Sequence, residues 1–378
     1  MVEEQNQQTV KSETENYEHF IVLDKNELTS LARLSDVLTQ VAMDDYGKCF
    51  YFKCEGDSVV VTYANRPYYL QCRLNNVSKS TVSDFFVSIP LLRKVLSSCG
   101  NNLTIVEKEG RDGDSVFYFE ILGGLLYLET QKSLLKDAYN VVFPETTSPL
   151  NMPIAKMCFR DLLSVVSLSE RTSEKVVVIK DGNAFFNTSF FSAKTQSPFT
   201  GGEEFVLFKI VSSLIATFTE VCDSLTYTIS NNTLILKGGI FQCSIPIGLK
   251  VSDFYSPVVE TVLNFNASAK LDSNYLTSLV SLVNRLDYLC DIINLKFKSD
   301  SLQVCVYSKS FDNKSTYTYP YLEGSMSSQG SIDISSGVLK TVLSFLTDAT
   351  KYCFHSDYGL CVDTHDCKFV VRPIAQAH

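Results

Sequence analysis

The sequence predicts an α+β chain built from six copies of one unit, a helix followed by antiparallel strands, with the units paired into three domains. Apolar residues recur at i, i+3, i+4 and i+7 in six separate stretches, the spacing that lines one face of an α-helix. After each stretch the period shortens to two, and short apolar segments alternate with turn residues, which is the pattern of a strand hairpin. The stripes start 58, 67, 52, 65 and 63 residues apart. A repeat of that length holds one helix and about four strands, not the short helix pair of a solenoid.

The first stripe is Leu34/Val37/Leu38/Val41. It leads into Phe50/Phe52/Cys54, a turn at Glu55-Gly56-Asp57, and Val59/Val61. The second, Leu92/Val95/Leu96/Cys99, follows Ser88-Ile89-Pro90 and precedes Gly100. Ser88 offers an oxygen to a first-turn amide, Pro90 sacrifices no hydrogen bond there, and Gly100 stands where the helix should stop. The stretch Gly110 to Gly113 marks the next turn.

The third stripe, Phe159/Leu162/Leu163/Val166, precedes a hairpin turning at Asp181-Gly182, and the fourth is Val211/Leu214/Ile215/Phe218. After it Leu225/Tyr227/Ile229 turns at Asn231-Asn232 into Leu234/Leu236. Asp272-Ser273 caps the fifth, Leu276/Leu279/Val280/Val283, which leads through Ile293/Leu295/Phe297 and Ser299-Asp300 into Leu302/Val304/Val306. Ser335-Ser336 caps the sixth, Leu339/Val342/Leu343/Leu346. One such unit cannot bury both its helix stripe and its sheet face alone, so units must pair.

With 378 residues and 45% apolar content, the chain has enough material for three cores of about 120 residues each. Its twelve cysteines are scattered through apolar segments with no Cys-x-x-Cys pair, and read as reduced core residues of a cytoplasmic protein. The start, Met1 to Asn6, is acidic and polar, and no apolar run is long enough to span a bilayer. A chain that is not exported is expected. The net charge of -9 argues against indiscriminate coating of nucleic acid, which needs a broadly basic surface.

Positive charge nonetheless recurs on the helices. Arg33, Arg93, Lys94, Arg160, Lys209, Arg285 and Lys340 all lie off the apolar stripes, and Lys94, Lys209 and Arg285 fall nearly opposite them. Each taken alone is an ordinary solvated charge; the six-fold recurrence points to a shared polyanion-facing surface. Asp36, Asp161 and Glu220 share these faces and dilute the effect.

Signs of catalysis are few. Cys361, His365 and Cys367, with Cys353 and His355 nearby, have the spacing Cys-x-x-x-His-x-Cys in a predicted hairpin, and core cysteines flanking a turn account for it better than zinc. No phosphate loop, nucleophile elbow or His-Glu-x-x-His helix is present, and neither a cofactor nor a resident metal is expected. The strand aromatics Phe50, Phe52, Phe185, Phe297 and Tyr307 read as core, and Tyr317, Tyr319 and Tyr321 alternate so as to share one strand face.

Three junctions resemble the bacterial sliding clamp family, the beta subunit of DNA polymerase III. Asp137-Ala138-Tyr139-Asn140-Val141-Val142-Phe143-Pro144 is similar to the family's segment leaving its first domain. Ser252-Asp253-Phe254-Tyr255-Ser256-Pro257-Val258-Val259 looks like a second copy, and Phe369-Val370-Val371-Arg372-Pro373-Ile374 is similar to the closing strand. The resemblance runs from about Tyr17 to Ile374 and places a polar extension at 1–17 and clamp domains at 18–144, 145–257 and 258–378.

The resemblance implies helices inside, sheets outside, and a head-to-tail homodimer closing a ring around double-stranded DNA without reading its sequence. It implies no catalysis, a place in the cytoplasm of a bacterium or of a phage-infected host, and no membrane partner. Polymerase and clamp loader would insert short apolar peptides into a groove carried by Pro257, Val259, Val370, Val371, Arg372, Pro373 and Ile374.

The family's Asp-Gly-His-Arg-Leu run is replaced by Asn187-Thr188-Ser189-Phe190-Phe191, and the chain continues past the usual end with Ala375 to His378. Two other readings are a clamp-fold regulator that binds replication partners without encircling DNA, and an enzyme using the Cys361/His365 region.

Overall fold

The computed structural model describes residues 17–40, 46–78, 80–110, 112–121, 123–128, 134, 136–163, 176–188, 191–286, 292–307, 314–325, 328–343, 350–364 and 366–372. Val41, Val166, Leu346, His365, Pro373 and Ile374, with the polar extension up to residue 16, lie outside them.

One order of elements repeats six times: a lead strand, a helix, and a three-stranded meander. The first copy is β1 (His19–Asp24), α1 (Lys25–Thr39), β2 (Cys49–Glu55), β3 (Ser58–Asn65) and β4 (Tyr68–Asn75). The second is β5 (Phe85–Ser88), α2 (Ile89–Leu96), β6 (Asn102–Glu109), β7 (Ser115–Ile121) and β8 (Gly124–Leu128). The third is β9 (Ser148–Pro149), α3 (Met152–Lys156, widening to a π-helix over Met157–Leu162), β10 (Val176–Lys180), β11 (Asn183–Asn187) and β12 (Phe191–Gln196).

The fourth copy is β13 (Phe205–Phe208), α4 (Lys209–Val221), β14 (Thr226–Ser230), β15 (Thr233–Gly238) and β16 (Phe241–Pro246). A connector helix, α5 (Pro257–Leu263), precedes the fifth: β17 (Lys270–Leu271), α6 (Ser273–Leu286), β18 (Ile292–Phe297), β19 (Ser301–Tyr307) and β20 (Lys314–Glu323). The sixth is β21 (Gly330–Ser335), α7 (Ser336–Leu343), β22 (Lys351–His355), β23 (Gly359–Asp363) and β24 (Cys367–Val371).

Local chemistry sets these boundaries. Asp24 caps α1 by accepting from Asn26 N at 2.7 Å and Glu27 N at 3.0 Å, and Ser88 caps α2 through Leu91 N at 3.3 Å. Asp272 accepts from Asn274 N at 2.8 Å at the start of α6. The second helix ends at Leu96, before Gly100: Ser98 N–H bonds Val95 O three residues back at 2.9 Å, tightening the last turn, and the Ser97 hydroxyl donates to Lys94 O at 2.7 Å. Asn231 and Asn232, at φ 50° and 60°, make the tight β14–β15 turn. Every described stripe residue on α4, Val211, Leu214, Ile215 and Phe218, is wholly buried, which is worth roughly 1.5–3 kcal/mol per side chain as an upper figure.

Lead strands are exchanged between neighbouring copies: β1 pairs with β6 and β5 with β2, β9 with β14 and β13 with β10. In the last pair of copies β21 pairs with β18, and Ala269 beside β17 bridges Tyr352 of β22. The third strands of four meanders are joining edges. Antiparallel pairing of β4 with β16 makes one eight-stranded sheet, and β12 with β24 makes a seven-stranded one.

Contacts divide the chain into two compact units, Met1–Pro149 with Thr217–Pro246, and Leu150–Ala216 with Ile247–His378. Each contains one of these continuous sheets, because backbone pairing through β4–β16 and β12–β24 ties distant segments together. In the first unit Tyr139 is buried against Tyr51 and Phe86, with ring centroids 5.8 and 5.2 Å apart. In the second, the matching connector residue Tyr255 packs edge-on against Phe185 at 5.0 Å. Among the described residues no helix is long and apolar enough to cross a membrane.

Candidate nucleic-acid and partner interfaces

All seven helix cations are exposed: Arg33 on α1, Arg93 and Lys94 on α2, Arg160 on the π-helical turn, Lys209 on α4, Arg285 on α6 and Lys340 on α7. Six of them divide into two electrostatic classes. Arg33 is ion-paired with Glu220 and hydrogen-bonded to it, Arg93 is ion-paired with Asp36, and Arg160 holds Asp161 through Nε at 2.6 Å and Nη2 at 3.2 Å. Lys94, Lys209 and Arg285 form no ion pair among the described residues. The carboxylates seen in the sequence on these faces are therefore direct partners of arginines. The free positive charge sits on the three residues opposite the stripes. Lys94 also lies in the last turn of α2, where the carbonyl ends favour a cation.

The closing strand β24 is an interior strand, flanked by β12 and β23. Val370 opposes both Ser192 and Cys361, Val371 opposes Phe191 and Leu360, and neither valine has any exposed surface. Neither of these expected groove residues offers surface to a partner. Val259 is also buried, whereas Pro257 is exposed and Val258 is 62% exposed. Val258 is thus the apolar side chain presented there, and the sequence pattern did not single it out.

Arg372 is a clip between strand ends. Its guanidinium donates from Nη1 to Thr188 O at 2.7 Å and from Nη2 to Ser192 Oγ at 2.8 Å. The segment Asn187 to Phe191 thus meets the end of β24 through this fork. Burial lowers the Arg372 pKa from its ordinary value, though a guanidinium remains charged. Ser189 and Phe190 lie outside the described residues.

Toward the opposite end of β24, a cavity of about 710 Å³ is lined by Glu260 and Leu263 of α5 and by Lys194, Asp363 and Lys368 of the strands. Lys194 and Lys368 are directly opposed across β12–β24, an arrangement that repels unless the charges are met elsewhere. Lys368 Nζ is 3.3 Å from Asp363 Oδ2 and donates to Phe265 O at 3.3 Å, while Lys194 Nζ lies 5.4 Å from the centroid of the Phe185 ring.

The cysteine–histidine cluster does not converge. Cys361 shares a face with Val370, whereas Cys367, three residues away on β24, points to the opposite face, so the two thiols cannot hold one ion. The His355 ring stacks on Tyr358 at 4.4 Å, and its Nδ1 accepts from Asp357 N at 3.2 Å. Among the described residues no group of three or more His, Cys, Asp or Glu is placed to hold a metal. Tyr317, Tyr319 and Tyr321 do alternate along β20; Tyr319 is buried edge-on against Tyr275 at 6.2 Å, a packing role.

Two further edges were not visible in the sequence. β8 and β20 are the third strands of their meanders, and each has a meander partner on one side only, apart from the short β17 at the far end of β20. Leu126 and Tyr127 on β8 are 44% and 57% exposed, and Tyr317 on β20 is 40% exposed.

Solved structures share this arrangement over almost their whole length. DNA polymerase III beta subunit from Thermotoga maritima superposes with a TM-score of 0.74 at 10% identity, covering 95% of this chain and 100% of that one. The chain has the sliding-clamp fold. DNA polymerase III subunit beta from Borrelia burgdorferi, in complex with a natural product, gives 0.73 at 12% identity and covers 95% and 99%. A sliding clamp from Pseudomonas aeruginosa bound to griselimycin gives 0.71 at 13%, covering 94% and 99%. No protein-family model and no curated protein matches the sequence. With identities this low the likeness is one of fold, and any binding residues have to be argued from this chain's own surface.

Proposed function

We propose that the protein is a DNA sliding clamp, a non-catalytic processivity factor that encircles double-stranded DNA as a head-to-tail homodimer and tethers polymerase and clamp loader. The observation that carries this reading is the pattern of strand edges. Of six equivalent third strands, four pair within the chain as β4–β16 and β12–β24, leaving β8 and β20. An unpaired strand edge is a template for another strand. Antiparallel pairing of β8 with β20 of a second copy repeats the join already used twice. Because the two edges differ, the contact is heterologous and closes only if the rotation allows it.

In this reading the three domains are 18–144, 145–257 and 258–378, supported by lead-strand exchange within each pair of copies. Lys94, Lys209 and Arg285 supply the unpaired attraction for phosphates, with Arg93 beside Lys94 on α2 and Arg33, Arg160 and Lys340 on α1, α3 and α7. Such attraction is sequence-independent and screened by salt, so the ring slides. Partner peptides dock beside Pro257, Val258 and Arg372, over a wall backed by Val259, Val370 and Val371; Pro373 and Ile374, expected in the same groove, lie outside the described residues. The site of action is the cytoplasm of a bacterium or of a phage-infected host cell.

The test is topological. Loaded protein stays on nicked circular DNA and leaves when the circle is linearised; equal retention on both forms refutes the reading. A second reading, a clamp-fold regulator that engages partners without encircling DNA, is favoured by the carboxylates that neutralise Arg33, Arg93 and Arg160. Reversing the charge of Lys94, Lys209 and Arg285 abolishes processivity in a clamp and leaves a regulator's partner binding intact.

A further inference from the structure

On the same face of the seven-stranded sheet as Val370, four side chains stand in one register row: Ser192 on β12, Val370 on β24, Cys361 on β23 and Cys353 on β22. Cys353 and Cys361 are directly opposite each other across an antiparallel pair. Residues so placed have Cα atoms about 4.5 or 5.5 Å apart, depending on the ladder position. Both values lie inside the range of about 4.4–6.8 Å that a disulfide spans.

The two sulfurs are not equivalent. The thiol of Cys361 is wholly buried and donates to Gly359 O at 3.8 Å. The adjacent Cys361 holds Cys353 below the ordinary thiol value, while the adjacent Cys353 and burial push Cys361 up. Burial pushes Cys54 and Cys222 up to about 11, and Cys367, on the opposite face, is also raised by burial. Cys353 has 6% of its surface exposed, a path for a small oxidant but not for a protein. A thiolate with a resolving thiol beside it is the arrangement that oxidises reversibly.

We propose that Cys353 and Cys361 form a reversible disulfide site, oxidised by a hydroperoxide, on the sheet face that includes Val370; its effect on partners rests on the groove reading above. In the first step the Cys353 thiolate attacks one peroxide oxygen and the O–O bond breaks. With one proton taken up, Cys353 becomes a sulfenic acid and one water leaves. In the second step Cys361 sulfur attacks the Cys353 sulfur, the S–O bond breaks, and a second water leaves. The two thiols lose two hydrogens and two electrons, and the hydroperoxide, if hydrogen peroxide, ends as two waters. A small dithiol reverses the change by exchange.

The experiment treats the reduced full-length protein with hydrogen peroxide, alkylates the remaining thiols, and maps the peptides by mass. A cross-linked pair containing Cys353 and Cys361 is expected, about 2 Da lighter than the reduced pair and restored by dithiothreitol. In Cys361→Ala the reaction stops at a sulfenic acid on Cys353, trapped by dimedone. Alkylation of both thiols after oxidation, or earlier oxidation at any other cysteine, overturns the proposal even if the variant fails to fold, because the wild-type map decides it. Retention on circular DNA is scored separately. A chain that forms this disulfide yet is not retained keeps the site and loses the clamp reading; one that is retained but forms no disulfide does the reverse.

Discussion

Releasing the paired arginines should change how DNA binding responds to salt. Substituting Glu220→Gln and Asp36→Asn frees Arg33 and Arg93 while leaving both guanidiniums in place. In the proposed dimer the helix cations without an ion pair among the described residues, Lys94, Lys209 and Arg285, number three per protomer and six per ring. If all six meet phosphates, log K falls against log salt with a slope of about −5.4, at roughly −0.9 per neutralised phosphate. Freeing two arginines per protomer raises the number to ten and steepens the slope to about −9. Fluorescence anisotropy of a labelled duplex, titrated at four or more salt concentrations, measures both slopes. Parallel lines for wild type and double variant would refute the assignment of Arg33 and Arg93 to the DNA-facing surface. Exposed ion pairs contribute little to folding, so thermal stability should stay nearly constant and serves as the control.

Three other outcomes are expected. Arg372→Ala leaves Thr188 O and Ser192 Oγ without their donor and should cost about 1–3 kcal/mol in urea unfolding; Arg372→Lys should not restore it, because one ammonium does not reproduce the two-pronged fork. Tyr127→Asp on β8 puts a charge on the open edge and should convert dimer to monomer in sedimentation, and an unchanged dimer would exclude this edge. Burial, helped by Asp24, raises the Glu27 carboxyl above its ordinary value. The folded chain therefore holds that proton more tightly, and this contribution to stability is present at low pH and lost as pH rises through the folded pKa. Glu27→Gln should flatten that part of the pH–stability curve.

Local structure was legible because the chemistry that sets it is local. The Val211/Leu214/Ile215/Phe218 stripe is buried at every position, and Asn231-Asn232 turns where the sequence placed a turn, since asparagine tolerates positive φ. What could not be read was the pairing of edges. Nothing in the alternation of β4 or β24 says that β16 or β12 will lie beside it, because an edge strand and an interior strand share the same period of two. For that reason Val370 and Val371 read as groove residues and proved to be interior ones, with the neighbouring Val258 on the surface. The partners of Arg372 were hidden for the same cause: Thr188 and Ser192 lie 184 and 180 residues away. The helix cations were legible as positions, but the identity of the neutralised ones depends on which helix faces lie together, and Arg33 meets Glu220 across 187 residues.

The two functional readings differ less over charge than they first suggest. A ring holds DNA by closure, so its wall needs only enough attraction to keep the duplex centred, and each further phosphate contact adds friction to sliding. Carboxylates that occupy Arg33, Arg93 and Arg160 are therefore as much at home in a clamp as in a regulator. Closure is where the readings part. A clamp needs β8 of one copy to complete β20 of the next at both junctions, whereas a regulator can leave both edges bare or cover them with a partner. An open strand edge on a free protein invites unwanted pairing and is normally blunted by bulges, prolines or charge. β8 has none of these along Leu125 to Leu128, and instead exposes Leu126 and Tyr127. An unblunted edge that ends a meander, in a fold that twice uses such edges as joints, argues for a second copy of the chain as its partner.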